Sequence, residues 1–161
     1  MQLVPVNLRE AIHDAVRQLG NDHGGTLEVE VGPDIWVMAH QQALAQVIFN
    51  LLSNAVKFHK KDLSPEVQVR AEAYNGSIRL SVTDKGIGIA SQHRERIWQV
   101  FERLHDREAF PGTGIGLAIV KRAIVRMGGS CGVESQVGQG STFWIELPLA
   151  EPETEKVDTN A

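Results

Sequence analysis

Two alternating segments, VQVRAEAY (67–74) and SIRLSVTD (77–84), stand on either side of Asn75-Gly76. Asn-Gly between two period-two runs is a strong signal for a tight hairpin, because both residues accept the positive φ of a type I′ turn. This feature constrains the fold most. It commits the middle of the chain to an antiparallel ribbon, and a lone ribbon is not stable in water. The rest of the chain must therefore supply further strands and a cover for one face.

That cover is legible as helices. Asn7 to Leu19 carries Leu8, Ile12, Ala15, Val16 and Leu19 on one side, and Gly20 with the following NDHGG stretch ends the pattern. His40 to His59 is the longest helical pattern, and Leu117 to Met127 is another, stopped by Gly128-Gly129. Ser91 to Trp98 is expected as a short helix capped by Ser91. Further strands are expected at TLEVEV (26–31) and IWVM (35–38). SCGVESQ and STFWIELPL are expected as a closing hairpin around VGQG. Phe101 to Pro111 has no clear period and reads as a loop. No internal repeat is visible. Strands flanked by separate helices predict an α+β fold, a two-layer α/β sandwich with a mixed, mostly antiparallel sheet covered by helices on one face. One domain is expected over 1–150, followed by a disordered acidic, polar tail from Glu151 to Ala161.

Composition narrows the function. The chain has 161 residues, is 42% hydrophobic and has a net charge of −4. That balance implies one globular domain without bulk affinity for nucleic acid or for an acidic membrane. A single cysteine, Cys131, excludes an internal disulfide framework and fits a reducing compartment. It is expected to be an inert packing residue at a strand start. No apolar run has the length that spans a bilayer, and the N-terminus lacks a signal-peptide layout. The expectation is a cytoplasmic domain with no direct membrane contact.

Three stretches carry chemistry. In GTGIGLAIV (112–120), Gly112, Gly114 and Gly116 alternate and then open a helix. Free N–H groups and the helix dipole there suit a phosphate, although a tightly packed helix entry would use the same glycines. In the long helix, Asn50, Asn54 and Lys57 lie at i, i+4 and i+7, on one line bordering the apolar arc, with Gln46 one turn earlier. Two amides and an ammonium there can hold a hydrated Mg²⁺ and a phosphate chain, or form a solvated polar rim. Asparagine is a poor helix former, so two in mid-helix cost stability. TDKGIGI (83–89) puts Asp84 at a strand end with Gly86 and Gly88 after it. The carboxylate can accept from an exocyclic amine such as that of adenine, or cap its own turn.

Taken together, these pieces resemble the ATP-binding catalytic domain of sensor histidine kinases. That domain belongs to the GHKL superfamily shared with gyrase, the heat-shock chaperone and mismatch-repair ATPases. NLLSNAVKF is similar to its asparagine box, DKGIGI to its first glycine box and VFERL (100–104) to its phenylalanine box. GTGIGLAIV is similar to its second glycine box, and GQGSTFWIELPL to its closing strand. Order and spacing agree over about residues 3 to 149.

The resemblance implies the Bergerat ATP-binding fold and protein-histidine kinase activity with ATP and Mg²⁺ as cofactors. Asn54 would ligate Mg²⁺ with Asn50 assisting, Lys57 would meet the phosphates, and Phe58 would lie against adenine. Asp84 would accept the adenine amine while Gly86 and Gly88 clear space for the ring, with Ile89 beside them. Gly112, Thr113, Gly114, Gly116 and Leu117 would belong to the phosphate cradle, and Thr142 would close the adenine side. Arg103 to Pro111 would be a mobile lid, anchored by Phe101, with Arg103 and Arg107 as γ-phosphate contacts. ATPase members resemble one another in a glutamate four residues before the magnesium asparagine. Here Asn50 stands at that position and cannot act as a base, so slow hydrolysis is expected.

No histidine matches the family's phosphoacceptor pattern among His13, His23, His40, His59, His93 and His105. The implied partners are therefore a histidine-containing dimerisation domain, normally ahead of this one, and a downstream response regulator. LVPVNLREAIHDAV is similar to the segment joining the two domains, so a fragment of a longer kinase is expected. The lid stretch is similar to those of phytochrome-like and other multidomain sensor kinases. Two alternatives remain at this level: an anti-sigma type serine kinase, and a catalytically silent nucleotide-binding or docking module. The glycine spacing lacks a preceding strand and is not the dinucleotide fingerprint, and no P-loop run is present.

Overall fold

The computed structural model describes residues 2–99 and 116–152. Seven strands form one sheet in the order β1-β3-β7-β5-β4-β2, with β6 pairing beside β3 on the same side of β7. These are β1 (Val4–Asn7), β2 (Thr26–Glu30), β3 (Trp36–Ala39), β4 (Glu66–Tyr74), β5 (Ser77–Asp84), β6 (Ser130–Gln136) and β7 (Gly140–Ala150). Among the described residues only β2 and β4 pair in parallel; every other pairing is antiparallel. Three α-helices pack on one face: α1 (Leu8–Leu19), α2 (Gln41–Lys57) and α3 (Gly116–Arg126). The mixed, mostly antiparallel two-layer arrangement is the one expected.

The central ribbon forms as its turn residues dictate. Asn75 has φ 48° and Gly76 has φ 79°, and Tyr74 pairs with Ser77 across them. Along β5 the residues Ile78, Leu80, Val82 and Asp84 are buried while their neighbours are half-buried, so one face looks at the helices. β7 alternates in the same way through Phe143, Ile145 and Leu147. Helix α2 lies between α1 and α3 and fills the centre with Leu44, Val47, Ile48, Leu51 and Leu52, all fully buried. Each such side chain contributes about 1.5–3 kcal/mol by leaving water. His40 caps α2, its Nδ1 accepting from the Ala43 N–H at 3.2 Å. Asn7 caps α1 through Oδ1, which accepts from Glu10 N–H at 3.0 Å, while Nδ2 donates to the Pro33 carbonyl at 2.7 Å.

Two local expectations are corrected. Ser91 to Trp98 is not one helix capped by Ser91: it forms two 3₁₀ turns, Ser91–His93 and Arg96–Trp98, without a side-chain cap. Only Ile97 in these turns is buried, too little apolar surface to hold a continuous α-helix. Strand β1 was not expected. It contains Pro5 and sits at the sheet edge, where a missing N–H is tolerated. The phenylalanine box, the lid with Arg103 and Arg107, His105, and most of the second glycine box (Gly112, Thr113, Gly114) lie outside the described residues, as does the tail beyond Pro152. No helix among the described residues is long and apolar enough to cross a membrane.

Candidate functional site

The polar end of the sandwich is assembled where α2 ends, β5 ends and α3 begins. The apolar arc of α2 fixes its rotation, and this leaves Asn50 and Asn54 half-buried and Lys57 exposed at the last turn. The Asn50 Nδ2 is buried and has no hydrogen-bond partner among the described residues. A buried, unpartnered amide is costly, and so marks a position whose partner comes from elsewhere. Gly116, the first residue of α3, lies beside it: a Cβ placed there would stand 4.0 Å from the Asn50 side-chain carbon Cγ. The first described turn of α3 therefore borders the asparagine line at Asn50. Leu117, next on α3, packs against the core.

Asp84 ends β5 on the helix-covered face and is only 7% exposed. Its Oδ1 accepts from the Gly86 N–H at 2.9 Å. Burial pushes the carboxyl up from 3.8 to about 6, and backbone hydrogen bonds from Gly86 and Ser141 only partly offset that. Such a group is a strong acceptor when ionised and is easily neutralised when not.

The glycines after Asp84 serve the chain itself. At Gly86 a Cβ would lie 2.2 Å from the Phe58 carbonyl oxygen, and at Gly88, with φ 74°, 2.0 Å from the Gln136 carbonyl oxygen. On the side where a Cβ would stand, these two positions are thus filled by backbone from the end of α2 and from β6. Ile87 N–H donates to the Phe58 carbonyl at 3.1 Å, Gly138 N–H donates to the Ile87 carbonyl at 2.8 Å, and Ile89 N–H donates to Ser135 Oγ at 2.7 Å. These bonds bind the glycine loop to both neighbours. Phe58 itself is half-buried just past the helix.

Thr142 requires a correction. It pairs with Thr83, and the two hydroxyl oxygens are 3.0 Å apart on the face away from the helices. Successive strand residues point to opposite faces, so Thr142 cannot share a face with Asp84. Ser141 does: it is the cross-strand partner of Asp84 and is likewise 7% exposed. The alternation of Phe143, Ile145 and Leu147 as core residues, carried back one step, would have identified Ser141.

Cys131 lies half-buried on β6, and burial pushes its thiol up although Lys121 pulls the other way, so it stays an unreactive packing group. His23 accepts from the Gly25 N–H, and His40 caps α2, so both act as local backbone acceptors.

A two-layer sandwich with a buried strand-end carboxyl and an amide line on the central helix, bordered by α3, is an α/β domain with polar groups set at one end of its core. Residues 39–151 match the family of histidine kinase-, DNA gyrase B- and HSP90-like ATPases, and the chain belongs to that family. It is 41% identical over 92% of its length to the sensor histidine kinase AruS of Pseudomonas aeruginosa, of which it covers 16%. It is 39% identical over 92% of its length to the phytochrome-like protein Cph1 of Synechocystis, of which it covers 20%. The chain therefore spans a fifth or less of these relatives. Among solved structures, the mycobacterial sensor histidine kinase MprB superposes with a TM-score of 0.82 at 29% identity, covering 92% of this chain and 99% of that one. Full-length ShkA in complex with AMPPNP gives a TM-score of 0.79 at 33% identity, covering 94% of this chain and 32% of that one.

Proposed function

We propose that this chain is the ATP-binding catalytic domain of a two-component sensor histidine kinase, working in the cytoplasm where ATP is supplied. The observation that carries the reading is the buried Asp84 carboxyl at the end of β5 on the helix-covered side of the sheet; the Asn50–Asn54–Lys57 line of α2 would supply the phosphate end of the same site. Asp84 accepts the adenine amine, with Ser141 beside it in the place expected of Thr142, and Phe58 and Ile89 flank the base. Lys57 meets the phosphates at the exposed end of α2.

Mg²⁺ fits the donor set. The buried, unpartnered Asn50 Nδ2 is a donor suited to a phosphate oxygen, which leaves its amide oxygen for the ion, and among the described residues no cluster of three or more His, Cys, Asp or Glu offers a competing metal site. Asn54 and Asn50 would hold the ion through hard amide oxygens. Bound there, it would neutralise charge on the phosphate oxygens. The cradle of Gly112, Thr113, Gly114, Gly116 and Leu117, and Arg103 at the γ-phosphate, complete the reading on the strength of the sequence resemblance.

The acceptor is a histidine on a separate dimerisation domain, whose imidazole nitrogen bonds to the γ-phosphorus as the bond to the ADP oxygen breaks; a response regulator receives the phosphoryl group afterwards. The 16% and 20% coverage of AruS and Cph1 leaves ample chain in such proteins for those other domains. The test is transfer from γ-labelled ATP to an added dimerisation hairpin of a relative. Acid-labile, base-stable label on the hairpin, absent with Asp84→Asn, is expected. Tight ATP binding with no transfer would leave a nucleotide-sensing module instead.

A further inference from the structure

Three buried polar side chains stand in a row across β6, β7 and β5: Ser135 pairs with Ser141, and Ser141 pairs with Asp84. The nucleotide reading uses the last two and leaves Ser135 without a role. Yet Ser135 is 7% exposed and makes the densest set of contacts in the row. Its Oγ accepts from the Ile89 N–H at 2.7 Å, lies 2.9 Å from the Gly140 carbonyl oxygen, and lies 2.7 Å from Ser141 Oγ. Its own carbonyl accepts from an Arg94 guanidinium N–H.

Counting protons settles the direction of each bond. Ser135 Oγ touches two oxygens, and each oxygen–oxygen contact needs one proton between the pair. The Gly140 carbonyl has none to give. The Ser135 proton must therefore go to Gly140, and the Ser141 proton must go to Ser135. With Ile89 donating as well, Ser135 is saturated. Ser141 is left with its proton turned toward β6 and only lone pairs free. Beside it the ionised Asp84 also only accepts. The row thus presents acceptors without a donor.

We infer that Ser135 is a positioning residue that locks the Ser141 hydroxyl as an acceptor and so makes the site select a 6-amino purine over a 6-oxo purine. This rests on the nucleotide reading above. A 6-amino group offers two N–H donors to the row. A 6-oxo group offers a lone pair against lone pairs, and above neutral pH, where Asp84 is ionised, it finds a donor in the row only if Ser141 turns its proton outward, which Ser135 prevents. A buried polar mismatch of this kind discriminates far more strongly than a lost apolar contact.

The test is calorimetric titration of the 161-residue chain with MgATP and MgITP. Wild type should bind ATP well and ITP poorly. Ser135→Ala frees the Ser141 hydroxyl to donate, and the ATP/ITP preference should narrow about tenfold, the size of one hydrogen bond made or lost. The gain for ITP should vanish in the Ser135→Ala, Ser141→Ala double variant, because no hydroxyl remains to donate. If the alanine variant fails to fold, Ser135→Cys keeps the volume with a feeble acceptor and should narrow the preference likewise. Equal weakening of both nucleotides in Ser135→Ala or Ser135→Cys would reduce Ser135 to a structural role and overturn this inference alone. Failure of wild type to bind ATP at all would overturn the nucleotide reading and this inference with it.

Discussion

Asp84 and Ser141 face each other across β5 and β7 on the helix-covered side of the sheet, while Thr83 and Thr142, one residue away on each strand, join hydroxyls on the opposite side. The two pairs are adjacent in sequence and separated by the thickness of the sheet. Substitutions at 141 and 142 should therefore separate cleanly. Ser141→Ala is expected to weaken binding of a non-hydrolysable ATP analogue by roughly three- to tenfold, as for one hydrogen bond. Thr142→Ala should leave it within twofold. Calorimetric titration of the two variants decides which residue faces the nucleotide.

Asp84 sets two opposed pH dependences. Its carboxyl titrates near 6 in the folded chain against 3.8 ordinarily. The folded state thus holds the proton more tightly than the unfolded one. The resulting stability is fully present below 3.8, falls as pH rises, and is lost by about 6. The window spans at most about 3 kcal/mol, and comparison of denaturant midpoints of wild type and Asp84→Asn between pH 4 and 7 measures it. Nucleotide affinity should run the other way. Binding that needs the carboxylate should be flat above neutrality and weaken by up to about tenfold per pH unit below 6.

Gly86→Ala tests the junction between the glycine loop and α2. The added methyl would meet the Phe58 carbonyl oxygen at 2.2 Å, and that oxygen belongs to backbone that cannot step aside. A loss of about 3 kcal/mol is expected, at the upper end for overpacked sites. Gly24→Ala, with φ 72° but open space around it, should cost only about 1 kcal/mol. Thermal melting of the pair distinguishes the two costs, and a similar shift for both would count against the packed junction.

Slow hydrolysis is the fourth expectation. Asn50 has no basic pair with which to activate water, and its amide lies beside Gly116 of α3, near where the phosphates are proposed to lie. Phosphate release by this chain alone should match a Lys57→Ala control. Steady turnover well above that control would mean that another group supplies the base.

Legibility in the sequence followed the range of the forces involved. The Asn75-Gly76 ribbon and the face of α2 depend on neighbours within a few residues, and both were readable from periodicity. β1 is four residues with a proline, and it exists because β3 offers it a partner about 30 residues away. The 3₁₀ turns at 91–98 fell short because a capping serine and one buried isoleucine mimic a helix start without supporting one. The parallel pairing of β2 with β4 had no local signal at all.

At the site, Asp84 and the asparagine line were visible as residue types at suitable spacings. The faces of Ser141 and Thr142 were confused by a single step, the smallest error a period-two element permits and one that inverts its meaning. Gly86 and Gly88 also serve a packing duty that local sequence does not display. Glycine announces that something comes close, and the sequence does not say whether the visitor is a ligand or a distant part of the same chain.

The bond from Ile87 N–H to the Phe58 carbonyl has a mechanical corollary. It welds the stop of α2 to the turn that follows Asp84, two points nearly 30 residues apart along the chain. Lys57 and Asp84 are thereby tied to one joint, one residue and three residues from it along the chain. A molecule held by both would favour a span that matches theirs, because moving one end away from the other strains that shared bond.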